Sequence, residues 1–174
     1  AGSCRGQGRA QHGAAVDRRG RSLLMVLDEL GASPSVVFTP EHGLEGVAQA
    51  EEPVPSGEPG EGPLVVSLYG SSKESLEPTA EQLSQLDVLV IDLVDVGSRY
   101  YTYAWSALLA ARAAAKAGVH VVILDRPNPI SGDPTTLEGA PQKEGFLSFV
   151  GLEPLPIRHA LTLGELVALF AERD

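Results

Sequence analysis

The chain has 174 residues, 43% of them hydrophobic, and a formal net charge of -10 at pH 7. This length suits one domain with a proper core, and the acidic balance argues against a protein that binds the phosphate backbone of a nucleic acid. No apolar run approaches the roughly 20 residues of a transmembrane helix, and the first residues lack the basic and then apolar pattern of a signal peptide. We therefore expect no nucleic-acid partner and no membrane span. The compartment stays open, with export to the periplasm or beyond the cell as one alternative.

Cofactor and metal chemistry have little support in the sequence. The single cysteine, Cys4, rules out an internal disulfide and a thiolate metal cage. Among four histidines, His12 and His120 are expected to be structural or exposed, while His42 and His159 each adjoin another charged side chain. No histidine pair has the helical spacing of a zinc site, and no glycine-rich dinucleotide or phosphate-binding motif occurs. We expect neither a metal nor a cofactor.

The first third of the chain contains one predicted helix and one predicted strand. Residues 1–15 are rich in glycine, arginine and glutamine without apolar periodicity, so we expect an irregular lead-in with no strand. Leucines at helical spacing predict a helix over 20–30, and a short apolar run predicts a strand over 35–38. The acidic, proline-rich residues 48–63 indicate a mobile surface loop without chemistry of its own.

Strands and helices alternate through the rest of the chain. The pattern predicts strands at 64–68, 88–93 and 120–124, and helices after the cap residue Thr79, at 104–117 and after the cap residue Thr162. Residues 131–160 read as a long loop with one candidate edge strand. Alternation with buried apolar strands predicts a doubly wound α/β fold, in which helices cover both faces of a mostly parallel sheet.

Polar residues follow four of the predicted strands. They are Glu41 and His42, Tyr69 and Gly70, the segment from Asp92 to Tyr103, and the segment from Asp125 to Asn128. Because the carboxyl ends of parallel strands meet at one edge of a sheet, we expect these residues to line one crevice. The tyrosines among them could form an aromatic platform for a sugar, although tyrosines this close to a strand more often belong to the core.

The acidic residues give the best indication of chemistry. Cleavage of a glycosidic bond needs one carboxylic acid to protonate the leaving oxygen and a second group that meets the developing positive charge. Glu41 with Asp92 or Asp95 could supply these groups. The alternative is that the aspartates cap a helix or pair with Arg99. Phosphate-ester chemistry on the two aspartates ranks last, because two residues separate them where the familiar aspartyl-phosphate arrangement has one.

Five segments of the chain, taken together, resemble the DUF1343 family, whose characterised members are exo-β-N-acetylmuramidases of the NamZ type. The segments are FTPEHGLEG at 38–46, SLYG at 67–70, LDVLVIDLVDVGSRYYTY at 86–103, GVHVVILDRPNPISG at 118–132 and FVGLEPLPIRHALTLGEL at 149–166. VDRRGRS at 16–22 is also similar to the start of the family's first helix. The resemblance implies an enzyme that removes terminal N-acetylmuramic acid from peptidoglycan fragments, with a muropeptide as its substrate.

The resemblance also implies a domain organisation. Residues 16–174 would form a Rossmann-like catalytic domain, and the smaller C-terminal domain of the family would be absent from this chain. The family's first strand resembles G-L-L-T-N, which residues 1–15 do not match, so a central strand of the sheet is unaccounted for. A non-catalytic muropeptide-binding module, or an inactive truncated fragment, is therefore the alternative to an active hydrolase.

Residue by residue, the resemblance assigns roles at the cleft. Glu41, beside His42, would be the general acid, with Asp92 or Asp95 as base or electrostatic stabiliser. The implied substrate-binding residues are Tyr69, Arg99, Tyr101, Asp125, Arg126, Asn128, Arg158 and His159. The three arginines are candidates for bidentate pairing with the lactyl carboxylate that distinguishes muramic acid.

Overall fold

A computed structural model describes residues 6–11, 15–43, 62–70 and 72–171 of the protein. Its sheet has five parallel strands: β1 (Gln7–Gln11), β2 (Val36–Thr39), β3 (Leu64–Ser67), β4 (Val88–Asp92) and β5 (His120–Ile123). Its helices are α1 (Leu23–Glu29), α2 (Ala80–Leu83), α3 (Tyr103–Lys116) and α4 (Leu163–Ala171), with 3-10 turns at Lys73–Leu76 and Pro134–Thr136. His12 and most of the predicted acidic loop at 48–63 lie outside the described residues.

The strand order is β3-β2-β1-β4-β5, which is the order of a Rossmann-like fold. Strands β2 and β3 extend the sheet in one direction from β1, and β4 and β5 extend it in the opposite direction. Right-handed crossovers then place α1 and α3 on opposite faces, as the predicted doubly wound fold requires. The predicted Rossmann-like α/β class is confirmed. None of the helices within the described residues has the length and hydrophobicity needed to span a bilayer.

Strand β1 corrects the prediction of an irregular lead-in without a strand. Gln7–Gln11 pair with β2 on one side and with β4 on the other, so β1 is the central strand that the sequence left unaccounted for. The local sequence of β1 has little strand propensity, but pairing with the two apolar strands β2 and β4 stabilises the extended conformation. Gly8 is required there, because a Cβ at this position would collide with the side chain of Leu86.

Helix α3 provides most of the core on its side of the sheet. It packs against β4, β5 and α4, and its alanines let these elements approach closely. Trp105 is fully buried, and its Nε1 donates to the carbonyl of Arg99 at 2.9 Å, which ties the loop after β4 to the helix. Helix α1 differs, since none of its residues is fully buried.

Two helix starts confirm predicted caps. The hydroxyl of Thr79 accepts from the backbone N–H of Gln82 at 3.2 Å, and the Gln82 side chain accepts from the Thr79 N–H at 2.8 Å. Thr162 and Glu165 form the same reciprocal pair at the start of α4, at 3.2 and 2.8 Å. These contacts are local, which is why sequence spacing alone predicted them.

The long segment between β5 and α4 contains no strand in place of the candidate edge strand. Its order comes from isolated bridges, in which Arg158 pairs with both Ser98 and Glu138, and Ser148 pairs with Gly151. The bridge to Ser98 brings residues 155–161 against the loop after β4. The segment thereby reaches the carboxyl edge of the sheet.

Candidate active site

An open cleft of about 630 Å³ lies at the carboxyl edge of the sheet. It is lined by Glu41, His42, Tyr69, Tyr100, Tyr101, Thr102, Ser148, Phe149 and Val150. These residues follow β2, β3 and β4 or belong to the long segment before α4. Four of the predicted site residues, namely Glu41, His42, Tyr69 and Tyr101, therefore share one cleft.

Glu41 is held at the wall of the cleft through its side chain and its main chain. Its Oε2 accepts a hydrogen bond from Oγ1 of Thr102 at 2.7 Å, and its carbonyl accepts from the hydroxyl of Tyr103 at 3.0 Å. The residue is 7% exposed. His42 follows with φ of 72°, a left-handed conformation that non-glycine residues adopt only where their surroundings enforce it. The turn that carries the acid is thus strongly constrained.

Two tyrosines lie next to Glu41. The ring centroids of Tyr101 and Tyr103 are 4.6 Å apart, and the ring planes are tilted by 47°. Burial raises the pKa of both phenols, and the neighbouring Tyr101 raises that of Tyr103 further. Both groups therefore remain neutral near neutral pH, where they can donate hydrogen bonds.

The opposite wall of the cleft is a turn that the sequence did not assign to the site. Ser148 and Gly151 exchange backbone hydrogen bonds at 3.1 and 2.9 Å, which closes the turn. Phe149 at its tip has its ring centroid 5.9 Å from that of Tyr69, so an aromatic pair flanks the opening. Phe149 belongs to the segment at 149–166 that resembles the DUF1343 family. That resemblance is the sequence signal that could have identified Phe149 as a site residue.

The remaining predicted residues form a second group beside β4 and β5, which we call the polar network. Its members are Asp92, Asp95, Arg99, Asp125, Arg126, Asn128, Arg158 and His159. In this group Oδ1 of the buried Asp92 pairs with Nη2 of Arg126 at 2.6 Å. The Arg126 side chain is 37% exposed, so this ion pair reaches the surface.

Asp95 and His159 are buried against each other. Oδ2 of Asp95 lies 3.7 Å from Nε2 of His159 and accepts from the backbone N–H of Gly97 at 2.9 Å. Nδ1 of His159 accepts from the N–H of Leu161 at 3.2 Å, so the other ring nitrogen carries the proton of the neutral tautomer. Burial raises the pKa of Asp95 and lowers that of His159. Burial thus disfavours the charged form of each group.

Arg99 and Arg158 direct their guanidinium groups to main-chain carbonyls. Arg99 is buried and donates to the carbonyls of Ala140 and Leu155. Arg158 donates to the carbonyl of Ile130 at 2.7 Å and pairs with a carboxylate oxygen of Glu138 at 3.1 Å. Arg99 therefore fastens the long segment to the loop after β4, whereas the Arg158 side chain links residues within that segment.

Asp125 and Asn128 serve the same segment. Asp125 accepts from the hydroxyl of Thr162 at 2.6 Å and from the N–H of Gly164 at 2.9 Å, which joins the end of β5 to the first turn of α4. Asn128 donates to the carbonyl of Leu161 at 2.9 Å. In the sheet, β4 lies two strand spacings from β2, about 10 Å, and β5 lies three spacings from β2, about 14 Å. The cleft and the polar network therefore occupy the same edge of the sheet.

The described residues offer no obvious metal centre. No group of three or more histidine, cysteine, aspartate or glutamate side chains within them has the proximity needed to hold a cation. The ordered polar groups are instead carboxylates, phenols and guanidinium groups. This set can transfer protons and bind hydroxyl or carboxylate groups of a ligand.

A model of the family described as "Exo-beta-N-acetylmuramidase NamZ, N-terminal" matches residues 9–174. The chain belongs to this family. It is 42% identical over 154 residues to the peptidoglycan beta-N-acetylmuramidase NamZ of Bacillus subtilis (strain 168), an alignment that covers 86% of this chain and 36% of that protein. The chain thus spans about a third of the length of this curated relative.

Two solved structures of DUF1343 family proteins from Bacteroides fragilis NCTC 9343 share the fold. One has a TM-score of 0.81 at 34% identity and the other a TM-score of 0.72 at 29% identity. Each alignment covers 94% of this chain, with 40% of the first structure and 41% of the second. Membership of the NamZ family confirms the resemblance to DUF1343, while the roles of individual residues stay predictions.

Proposed function

We propose that this NamZ-family chain is the catalytic domain of an exo-β-N-acetylmuramidase, a glycoside hydrolase that removes terminal N-acetylmuramic acid from peptidoglycan fragments. The observation that carries the proposal is Glu41 at the wall of an open cleft, whose carboxyl group accepts from Thr102 and whose main-chain carbonyl accepts from Tyr103. A relative named as a peptidoglycan beta-N-acetylmuramidase, 42% identical to the chain, supports the same substrate class.

Glu41 acts as the general acid in this proposal. It donates a proton to the glycosidic oxygen as the bond to the sugar carbon breaks, which avoids the release of an alkoxide. The aromatic pair of Tyr69 and Phe149 provides an apolar surface for one face of the sugar ring. Neutral Tyr101 supplies a hydroxyl for the polar edge of the sugar.

The polar network supplies the second half of the mechanism. Asp92 or Asp95 stabilises positive charge at the sugar carbon or activates the incoming water. Among the three candidate arginines, Arg126 has the most exposed side chain. We therefore assign recognition of the lactyl carboxylate to Arg126, because a planar guanidinium can pair with it while retaining Asp92.

A pair of chromogenic substrates tests the function. The protein should release chromophore from a β-N-acetylmuraminide and much less from the β-N-acetylglucosaminide, which lacks the lactyl group. Glu41→Gln should lower kcat by about 10²- to 10⁴-fold, because the amide cannot donate the proton. Glu81→Gln, the same change on the exposed surface of α2, should leave kcat unchanged.

Calorimetry with a muropeptide separates this proposal from the non-catalytic alternative. Binding without hydrolysis by the wild-type protein would support a muropeptide-binding module. Normal turnover by Glu41→Gln would instead agree with the proposed hydrolase activity but overturn the assignment of Glu41 as the general acid. If the wild-type protein neither bound nor hydrolysed the muropeptide, both functions would be contradicted.

A further inference from the structure

We propose that Thr102 is a positioning residue, which fixes the carboxyl group of Glu41 for proton transfer. This inference rests on the proposed function, since it concerns the same carboxyl group. Oγ1 of Thr102 donates to Oε2 of Glu41 at 2.7 Å although 61 residues separate them in sequence, and both residues are 7% exposed. The contact is therefore tertiary and shielded from water, which makes it stronger than an exposed hydrogen bond.

Thr102 is exceptional among the helix-start hydroxyls of the described residues. At α1, α2 and α4, the hydroxyls of Ser22, Thr79 and Thr162 accept from a backbone N–H three residues on, each at 3.2 Å. Such a cap gives a partner to one of the backbone N–H groups that the first helical turn leaves unbonded. Thr102 precedes α3 but makes no side-chain cap bond. Its hydroxyl serves the carboxyl group instead of the helix.

The neighbouring residue strengthens this arrangement. Tyr103 donates to the carbonyl of Glu41, so two consecutive residues at the start of α3 hold the side chain and the main chain of one acid. Tyr103 is itself fixed by contact with the ring of Tyr101 and by burial in the core. The turn at His42 and the rigid start of α3 thereby act as one unit.

Fixing the carboxyl group has a direct chemical consequence. A general acid must lie within hydrogen-bond reach of the glycosidic oxygen, and a misplacement of about 1 Å can cost about 100-fold in rate. The hydrogen bond to Oε2 restricts rotation of the carboxyl group about its last bond. Thr102 therefore acts on the rate of the chemical step through Glu41.

Kinetics of two variants test this role. Thr102→Val keeps the shape of the side chain and removes the hydroxyl, so kcat on the chromogenic muraminide should fall about 10- to 100-fold with KM within about 2-fold of wild type. Thr102→Ser restores a hydroxyl and should recover kcat to within about 3-fold. Ser106→Ala is the matched control, because it deletes a buried α3 hydroxyl that has no hydrogen-bond partner within the described part of the chain. Its kcat should not change.

Crystal structures of the wild type, Thr102→Val and Ser106→Ala give a readout that does not depend on turnover. The Glu41 carboxyl group should be ordered in the wild type and the control, and should rotate or split between conformers in Thr102→Val. A wild-type kcat in Thr102→Val, or failure of Thr102→Ser to recover it, would overturn the inference. If the wild type cleaves no muraminide, the proposed function fails, and an undisplaced Glu41 in Thr102→Val would then overturn the inference separately.

Discussion

The cleft and the polar network lie at the same edge of the sheet and contain similar residue types, yet they differ in what their polar groups contact. In the cleft, Glu41 and the aromatic residues border open space. In the network, Arg99 donates to two carbonyls, and Asp95 is buried against His159. Position after a strand therefore predicts the edge at which a side chain lies, but not whether it faces a ligand or the protein.

This difference assigns separate tasks to the two regions. Polar groups that hydrogen bond within the protein stabilise the position of the long segment against the sheet. Polar groups at an open surface remain available to bind a substrate. Changes at those network residues whose hydrogen bonds are made only within the protein, such as Arg99, should therefore alter the free energy of unfolding more than turnover. Changes in the cleft should do the reverse.

The largest expected effect on stability is that of Arg99→Met. The variant keeps much of the apolar volume but leaves the carbonyls of Ala140 and Leu155 without their donor, so it should lower the free energy of unfolding by about 3 kcal/mol. Urea denaturation measures this loss, with the exposed Arg18→Met as control. Unchanged stability together with lost muropeptide binding would place Arg99 with the cleft residues instead.

Arg9→Leu should change stability in the opposite direction. Arg9 is buried like Arg99, but its Nε, Nη1 and Nη2 have no hydrogen-bond partner among the residues that the structure describes. Burial lowers the pKa of Arg9 to about 10, and the charge of Asp92 opposes this shift only in part. An apolar side chain on the central strand should therefore raise the free energy of unfolding by about 2 kcal/mol. Destabilisation would mean that attraction to Asp92 outweighs the cost of burial.

Phe149→Ala tests the cleft side of the comparison. Loss of the aromatic surface opposite Tyr69 should raise KM for the muraminide about 5-fold, while the unfolding midpoint changes little. Phe146→Ala is the matched control, because Phe146 lies in the same segment, is 72% exposed and does not line the cleft. Equal effects of the two changes on KM would remove Phe149 from the substrate surface.

The smallest expected effect is a change in pH dependence. Burial lowers the pKa of His159, so the unfolded chain binds more protons than the folded protein between that lowered value and about 6.5. The contribution of His159 to stability is therefore lost as pH falls through this window. His159→Gln should lose less stability than the wild type between pH 7.5 and 5.5, as measured by thermal unfolding. Identical pH dependence would show that the imidazole does not titrate on unfolding.

The sequence predicted those parts of the fold that local signals determine. The apolar run of β4, the alanine-rich α3 and the capping pairs at Thr79 and Thr162 all depend on neighbouring residues. Strand β1 was missed because Gly8 and its polar neighbours form a strand only when two apolar strands flank them. No window of the local sequence contains that information.

The candidate site divides in the same way. Glu41 could be identified because its motif follows a strand, and the comparison with a known family pointed to the same residue. Thr102 could not, because its contact with Glu41 spans 61 residues. The partners of Arg99 lie 41 and 56 residues away, in a segment that the sequence described as a loop.

Asp125 ties the end of β5 to the first turn of α4, across a sequence separation of 37 residues. The intervening stretch consequently leaves the sheet after β5 and is joined to the end of that strand again where α4 begins. Because the entropy of closing such an excursion grows only with the logarithm of its length, insertions and deletions near its outer turns should be tolerated at little thermodynamic cost. Relatives could therefore diversify this excursion, and with it the rim around Phe149, while the sheet and α4 keep their geometry.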